Sequence, residues 1–193
     1  MDVEGVLLAG GKSSRFGKPK MFEHYKEKRF YEHAITAFQN AGIKSITIVT
    51  NEALAAHFNV SSSRASVLIE NPPYEGPLHA LYQAMVKQKA ANWYFTLPAD
   101  TPFVTATFIK NLLSYRSDQS AIIVPVANNF EQPLHSLYPA SCLPVIKKLL
   151  TEQKKSMKLL FEQFPVHHVT FHESNQDFIN INTQTEWSRY KNE

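Results

Sequence analysis

Short apolar runs alternate with amphipathic stretches along the 193 residues of this chain. Residues 3–8, 45–50 (SITIVT), 65–69, 93–97 and 121–126 are rich in β-branched and aromatic side chains and predict strands. Between them, residues 31–41, 77–89 and 105–115 carry apolar positions at helical spacing. Gly42 stands where a glycine ends a helix, and Pro77 is tolerated in a first helical turn. Further along, residues 141–150 and 156–164 predict helices, 166–171 a strand and 183–190 a terminal helix. Short buried strands separated by helices imply the α/β class: one doubly wound, mostly parallel sheet with helices on both faces. There is no repeat, low-complexity segment or linker, and Ser61, Ser62 and Ser63 form a short polar loop rather than a boundary. Residues 1–193 therefore read as a single domain.

Composition narrows the function classes. At 44% hydrophobic the chain can build one substantial core. The net charge is only +3 and the basic residues are not in blocks, so no nucleic-acid surface is indicated; an anionic small molecule needs no more than this. The single cysteine, Cys142, excludes an internal disulfide and argues against a cysteine-ligated zinc. No apolar run approaches the roughly 18 residues of a membrane span. The start, Met1-Asp2-Val3-Glu4, lacks the basic opening of a signal peptide, so a cytoplasmic location is expected.

The most informative stretch is residues 7–20, LLAGGKSSRFGKPK, directly after the first predicted strand. Glycine serves where backbone takes positive φ or a ligand approaches closely, and N–H groups turned toward one point bind phosphate oxygens. Arg15, Lys18 and Lys20 add positive charge, so the reading is a loop that grips a triphosphate. Five residues separate Gly11 from Gly17 and Lys18-Pro19 follows, which does not fit a Walker A motif. Gly10-Gly11 without a spacer does not fit a dinucleotide fingerprint either. The plain alternative is a surface turn with scattered basic residues.

Ligands of doubly wound sheets bind beyond the carboxyl ends of the strands, and the other candidates fall there. Asp100, between Pro98 and Pro102 on a stiff turn, is suited to Mg²⁺, which takes one or two carboxylates with phosphate oxygens and water; alternatively it caps the next helix. Asn71 follows the strand at 65–69 and Gly76-Pro77-Leu78 opens the next helix, so Asn71 is a candidate nucleotide contact or a turn former. Asn51 reads first as a helix N-cap. Residues 132–138 (QPLHSLY) read either as a segment facing a second substrate or as an edge strand entered through proline, with His135 a lone histidine of structural type. In residues 178–183 (FININT), a period of two places Asn180 and Asn182 on one face of an extended strand, suited to a polar substrate or metal-bound water. Thr183 and Glu186 fit a capping box. The eight histidines show no metal spacing, and Trp93, Phe161, Phe164 and Trp187 are expected to pack in the core.

Residues Leu8, Ala9, Gly10, Gly11, Arg15, Phe16, Gly17 and Lys20 resemble the L-A-G-G-x-x-x-R-hydrophobic-G-x-x-K signature of the nucleotidyltransferases, in particular the molybdenum cofactor guanylyltransferases. Phe16 replaces the usual methionine. Residues 98–103 resemble the family's P-C-D-x-P-F/Y motif with Ala99 for the cysteine, and residues 69–78 its I/V-x-D then G-P-L pattern with Asn71 for the aspartate. Residues 178–186 are similar to its F-x-N-x-N-T-P-E-E/D ending, with Gln184 and Thr185 departing from it. The resemblance implies a Rossmann-like nucleotidyltransferase fold and transfer of GMP from GTP to molybdopterin, giving molybdopterin guanine dinucleotide and pyrophosphate. It implies nucleotide contacts from Leu8, Ala9, Gly10, Gly11, Lys20, Asn71 and Asp100, and catalytic roles for Arg15, Lys20 and Asp100. Asp100 would hold Mg²⁺, Asn180 and Asn182 would face the second substrate, and molybdoenzymes would receive the product. Cytidylyl transfer to molybdopterin, transfer to a sugar phosphate and a non-catalytic nucleotide-binding regulator remain open.

Overall fold

A computed structural model describes residues 2–11, 13, 16–60, 64–117 and 121–191; Arg15 and the serines at 61–63 lie outside the described residues. In chain order the elements are β1 (Val3–Leu8), the short pair β2 (His24–Tyr25) and β3 (Lys28–Arg29), α1 (Phe30–Asn40), β4 (Ser45–Thr50), α2 (Glu52–Ala55) and β5 (Ala65–Ile69). They continue as α3 (Pro77–Lys87), β6 (Trp93–Pro98), α4 (Ala106–Ser114), β7 (Ile122–Ala127), β8 (Phe130–Glu131), β9 (Leu137–Pro139), α5 (Leu143–Thr151), α6 (Met157–Gln163), β10 (Val166–Thr170) and α7 (Gln184–Tyr190). The expected strands and helices are all present, with bounds moved by one or two residues, except the strand over 178–183.

One sheet runs β10-β7-β9-β6-β1-β4-β5, with β8 paired to β7. β5, β4, β1 and β6 are mutually parallel, as are β7 and β10. β9 is antiparallel to both β6 and β7 and lies between them. The segment at 132–138 is therefore no edge strand. After the 3₁₀ turn Pro133–His135, Leu137 and Tyr138 are fully buried on opposite faces of the sheet, and that burial draws so short a strand into the interior.

Alternating side chains fill both faces. From β1, Leu7 packs with Phe38, Ile46 and Phe95 under α1 and α4, while Val6 packs with Leu78, Leu81 and Tyr94 under α3 and α5. A Cβ on Gly5 would come within 3.0 Å of the Phe38 ring, so the absent side chain lets α1 sit directly on β1. Gly42, at φ 90°, closes α1 as expected. Asn51 caps α2, accepting from the Leu54 N–H at 3.2 Å.

Chain direction sets where a ligand fits. From β1 the chain moves outward through β4 to β5, then α3 carries it back across the sheet to β6. Strand order thus reverses between β1 and β6, and the carboxyl ends of these neighbours open a crevice. The Ala99 N–H donates to the Leu8 carbonyl at 3.0 Å and the Ala9 N–H to the Val49 carbonyl at 2.8 Å, so the loops leaving both strands start in register.

Candidate nucleotide site

A cleft of about 490 Å³ opens at this reversal. Its floor is Leu8, Ala9, Gly10 and Gly11 after β1, and Pro98, Ala99 and Asp100 after β6. Glu70, Tyr74, Gly76, Pro77 and Ala80 form one wall, and Lys20, Met21, Asn180 and Asn182 the other.

The charged end is built around Lys20. Its ammonium pairs with the Asp100 carboxylate and donates to Asn180 Oδ1 at 3.1 Å and Asn182 Oδ1 at 2.9 Å. The Lys20 and Asp100 side chains are 13% and 14% exposed, so the pair sees less water than a surface ion pair and its field is less screened. Three oxygens from residues far apart in sequence therefore converge on one cationic point.

Their convergence does not come from a strand. Residues 178–183 were expected to be extended and paired; instead a 3₁₀ turn, Gln176–Phe178, is followed by irregular chain. The backbone groups here find other partners: Ile181 N–H donates to the Asp100 carbonyl at 3.3 Å, and the Asn182 and Thr183 N–H groups donate to Glu186 Oε2 at 2.6 and 3.2 Å. Ile181 is fully buried with Phe16, Phe30 and Trp187, which leaves its two asparagine neighbours facing Lys20. Thr183 and Glu186 form the expected capping box of α7. Asp177 adds a clamp, accepting from the Thr105 N–H at 2.7 Å and the Thr105 hydroxyl at 2.8 Å. Burial raises the Asp177 carboxyl above its ordinary range, opposed by these hydrogen bonds.

In the glycine loop, left-handed backbone falls at Ser13 (φ 47°) and Gly17 (φ 83°), not at Gly10 or Gly11. The reason for glycine at 10 is proximity: a Cβ there would lie 3.2 Å from Glu70 Oε2. Lys18 turns outward to Glu23 at 2.5 Å and does not line the cleft.

Residues 5–168 match the MobA-like NTP transferase domain. The chain belongs to that family. A curated relative from Halalkalibacterium halodurans, named "Probable molybdenum cofactor guanylyltransferase", is 36% identical over 198 residues, covering 98% of each chain. Among solved structures, the molybdopterin-guanine dinucleotide biosynthesis protein A of Archaeoglobus fulgidus superposes with a TM-score of 0.74 at 16% identity, covering 98% of this chain and 97% of that one. Rv0371c of Mycobacterium tuberculosis reaches 0.79 at 16% identity over 100% of both. These two likenesses bear out the fold; the family makes the protein a nucleotidyltransferase.

Of the residues picked from sequence, this MobA-like transferase brings Leu8, Ala9, Gly10, Gly11, Lys20, Asp100, Asn180 and Asn182 to one cleft. Asn71 is the exception. It is exposed and lines no part of the cleft: Gln83 on α3 grips its backbone at both N–H and carbonyl, and the preceding Glu70 turns inward instead. Glu70, the first residue after β5, is a cleft residue outside the motif positions. Asp100 is not the cap of α4, a role taken by Thr105. Among the described residues no cluster of three or more His, Cys, Asp or Glu could hold a metal, and no helix is long and apolar enough to cross a membrane.

His135 is shut inside the protein between Phe108 and Phe178, its Nε2 without a hydrogen-bond partner among the described residues. Burial pushes its pKa down to about 3. The unfolded chain takes up a proton near pH 6.5 that the folded His135 refuses until about pH 3. Its contribution to stability is thus complete above pH 6.5 and is lost as pH falls toward 3, by up to about 1.4 kcal/mol per pH unit. Urea unfolding at pH 7 and 4.5 should show that His135→Leu removes about 2.5 kcal/mol of the acid-induced loss seen in the wild type. An equal loss in both proteins would contradict this account.

Proposed function

We propose that the protein transfers GMP from GTP to molybdopterin in a Mg²⁺-dependent reaction, forming molybdopterin guanine dinucleotide and pyrophosphate for delivery to molybdoenzymes. The observation that carries the reading is the convergence of Lys20, Asp100, Asn180 and Asn182 beside the glycine loop at the sheet's switch point. The relatives' names supply the substrate pair.

Phosphoryl-type transfer depends on alignment and charge neutralisation more than on covalent chemistry. The Gly10-Gly11 segment approaches the phosphates closely, while Lys20 and Arg15 offset charge on the departing pyrophosphate. A phosphate monoester is already largely ionised near pH 7, so its oxygen attacks the α-phosphorus of GTP in line without a strong base. The new bond joins the acceptor oxygen to that phosphorus as the bond to the bridging oxygen of pyrophosphate breaks.

The donor set fits a hard cation. Asp100, Asn180 and Asn182 present oxygens to one point, and Mg²⁺ takes oxygen ligands with one or two carboxylates. Once bound, the ion would neutralise and polarise the α-phosphate. As nucleotide enters, Lys20 would leave Asp100 for the phosphates.

Pyrophosphate release from each of the four NTPs, with molybdopterin and Mg²⁺, tests the assignment. Release with GTP at least about tenfold faster than with the others is expected. A preference for CTP, or release only with a sugar phosphate, assigns a sister activity, and binding without release a regulator.

A further inference from the structure

The cleft is polarised, and its far end has no use in the chemistry above. Asp100 and Glu70 leave strands β6 and β5, which stand on either side of β1 and β4, and the Glu70 side chain reaches back over the loop after β1. With the triphosphate at Lys20, the base of a nucleotide lying along the cleft reaches the Glu70 end. That wall presents Pro77 and Ala80, on which a flat ring can lie, and among the described residues no lysine or arginine lines it. It does present a carboxylate. The Glu70 side chain is 4% exposed, yet its Oε2 reaches over Gly10 at the cleft floor.

A hydrogen-bond chain fixes this carboxylate. Gln83 Oε1 accepts the Asn71 N–H at 3.3 Å, which directs the Gln83 amide nitrogen to the Asn71 carbonyl and to His79 Nε2 at 3.2 Å. His79 Nε2 therefore accepts, and Nδ1 carries the proton donated to Glu70 Oε1 at 3.2 Å. Oε2 accepts the Tyr74 N–H, also at 3.2 Å. A carboxylate has about four lone-pair sites, and these contacts use one on each oxygen. One acceptor site per oxygen remains.

We propose that Glu70 is the base-reading residue of this protein, accepting the adjacent N1–H and N2–H donors of guanine, with His79 and Gln83 as its positioning residues. The inference rests on the nucleotide-transfer reading above. Among the common bases only guanine offers two neighbouring donors on its Watson–Crick edge. Adenine and cytosine place an acceptor lone pair beside their amino group, and uracil flanks its single N–H with carbonyls. A buried carboxylate facing those acceptors gains no hydrogen bond and keeps its desolvation cost, so it rejects them.

Calorimetric binding of GTP, ITP and XTP to the full chain, with Ca²⁺ in place of Mg²⁺ to prevent turnover, provides the test. ITP lacks the 2-amino group and XTP carries a carbonyl there. The wild type should bind GTP at least about tenfold more tightly than ITP and about a hundredfold more tightly than XTP, in line with losing one donor or turning it into a repelled acceptor. Glu70→Gln, whose amide can donate to the xanthine carbonyl, should shift the GTP-to-XTP ratio at least tenfold toward XTP. A carboxylate that only braced the Tyr74 turn would weaken all three nucleotides alike. Equal GTP and ITP binding by the wild type overturns the proposal even if the variant does not fold, as does an unchanged GTP-to-XTP ratio in Glu70→Gln. Failure of the wild type to bind any of the three overturns the transfer reading itself, and this inference with it.

Discussion

Asp100→Asn is expected to lower kcat/KM for GTP about 10³-fold while leaving metal-free GTP binding intact or tighter. The two effects have opposite signs because the carboxylate does two electrostatic jobs. In the proposed turnover it would supply the only negative charge among the three oxygens that converge at the head of the cleft, where an asparagine would offer a neutral, weaker ligand to a hard cation. Losing about 4 kcal/mol of transition-state stabilisation corresponds to that rate. Without metal, the same carboxylate repels an incoming triphosphate, so neutralising it relieves the binding step. Steady-state pyrophosphate release with Mg²⁺, set beside titration of GTP in EDTA, separates the two. Equal losses in both assays would mean that Asp100 only holds the local structure.

Lys20→Met should lower both quantities: metal-free GTP binding by about 10- to 100-fold and kcat/KM by about 10² to 10³. Methionine keeps the unbranched stem of the lysine and removes its ammonium. A hydrogen bond to a charged group contributes about 1.5–3 kcal/mol, and loss of one donor aimed at developing charge commonly costs 10²–10³ in rate. Asp100, 14% exposed in the wild type, then loses its Lys20 partner, and Asn180 and Asn182 lose their donor. Some loss of thermal stability follows from that uncompensated charge. The double variant Lys20→Met/Asp100→Asn should regain part of the stability but none of the rate. Near-normal turnover by Lys20→Met would remove the lysine from the reaction.

The site was legible in proportion to how local its signals are. The glycine loop and Asp100 sit directly after apolar runs, so periodicity alone put them at strand ends, and strand ends of a parallel sheet face one crevice. Asn180 and Asn182 were legible as a pair for a partly different reason. Their spacing put both at one place, but by burying Ile181 between them rather than by pairing a strand. The backbone there bonds to Asp100 and Glu186, partners 81 residues upstream and one helical turn downstream, and only the second was visible in the sequence as a capping box. Which of Glu70 and Asn71 faces the cleft was not legible because both follow β5, a strand whose faces are both partly covered and which gives no alternation to extend.

By itself, the order of apolar runs and turn residues determined the main strands and helices, the α/β class and the place of the glycine loop directly after β1, because these follow from contacts within a few residues. Tertiary structure decided that β9 enters the sheet between β6 and β7, that Lys20 meets Asp100, Asn180 and Asn182, and that Glu70 rather than Asn71 faces the cleft. Each of these depends on burial and on partners from distant segments, whose free energy arises only once the chain has folded and brought them out of water together.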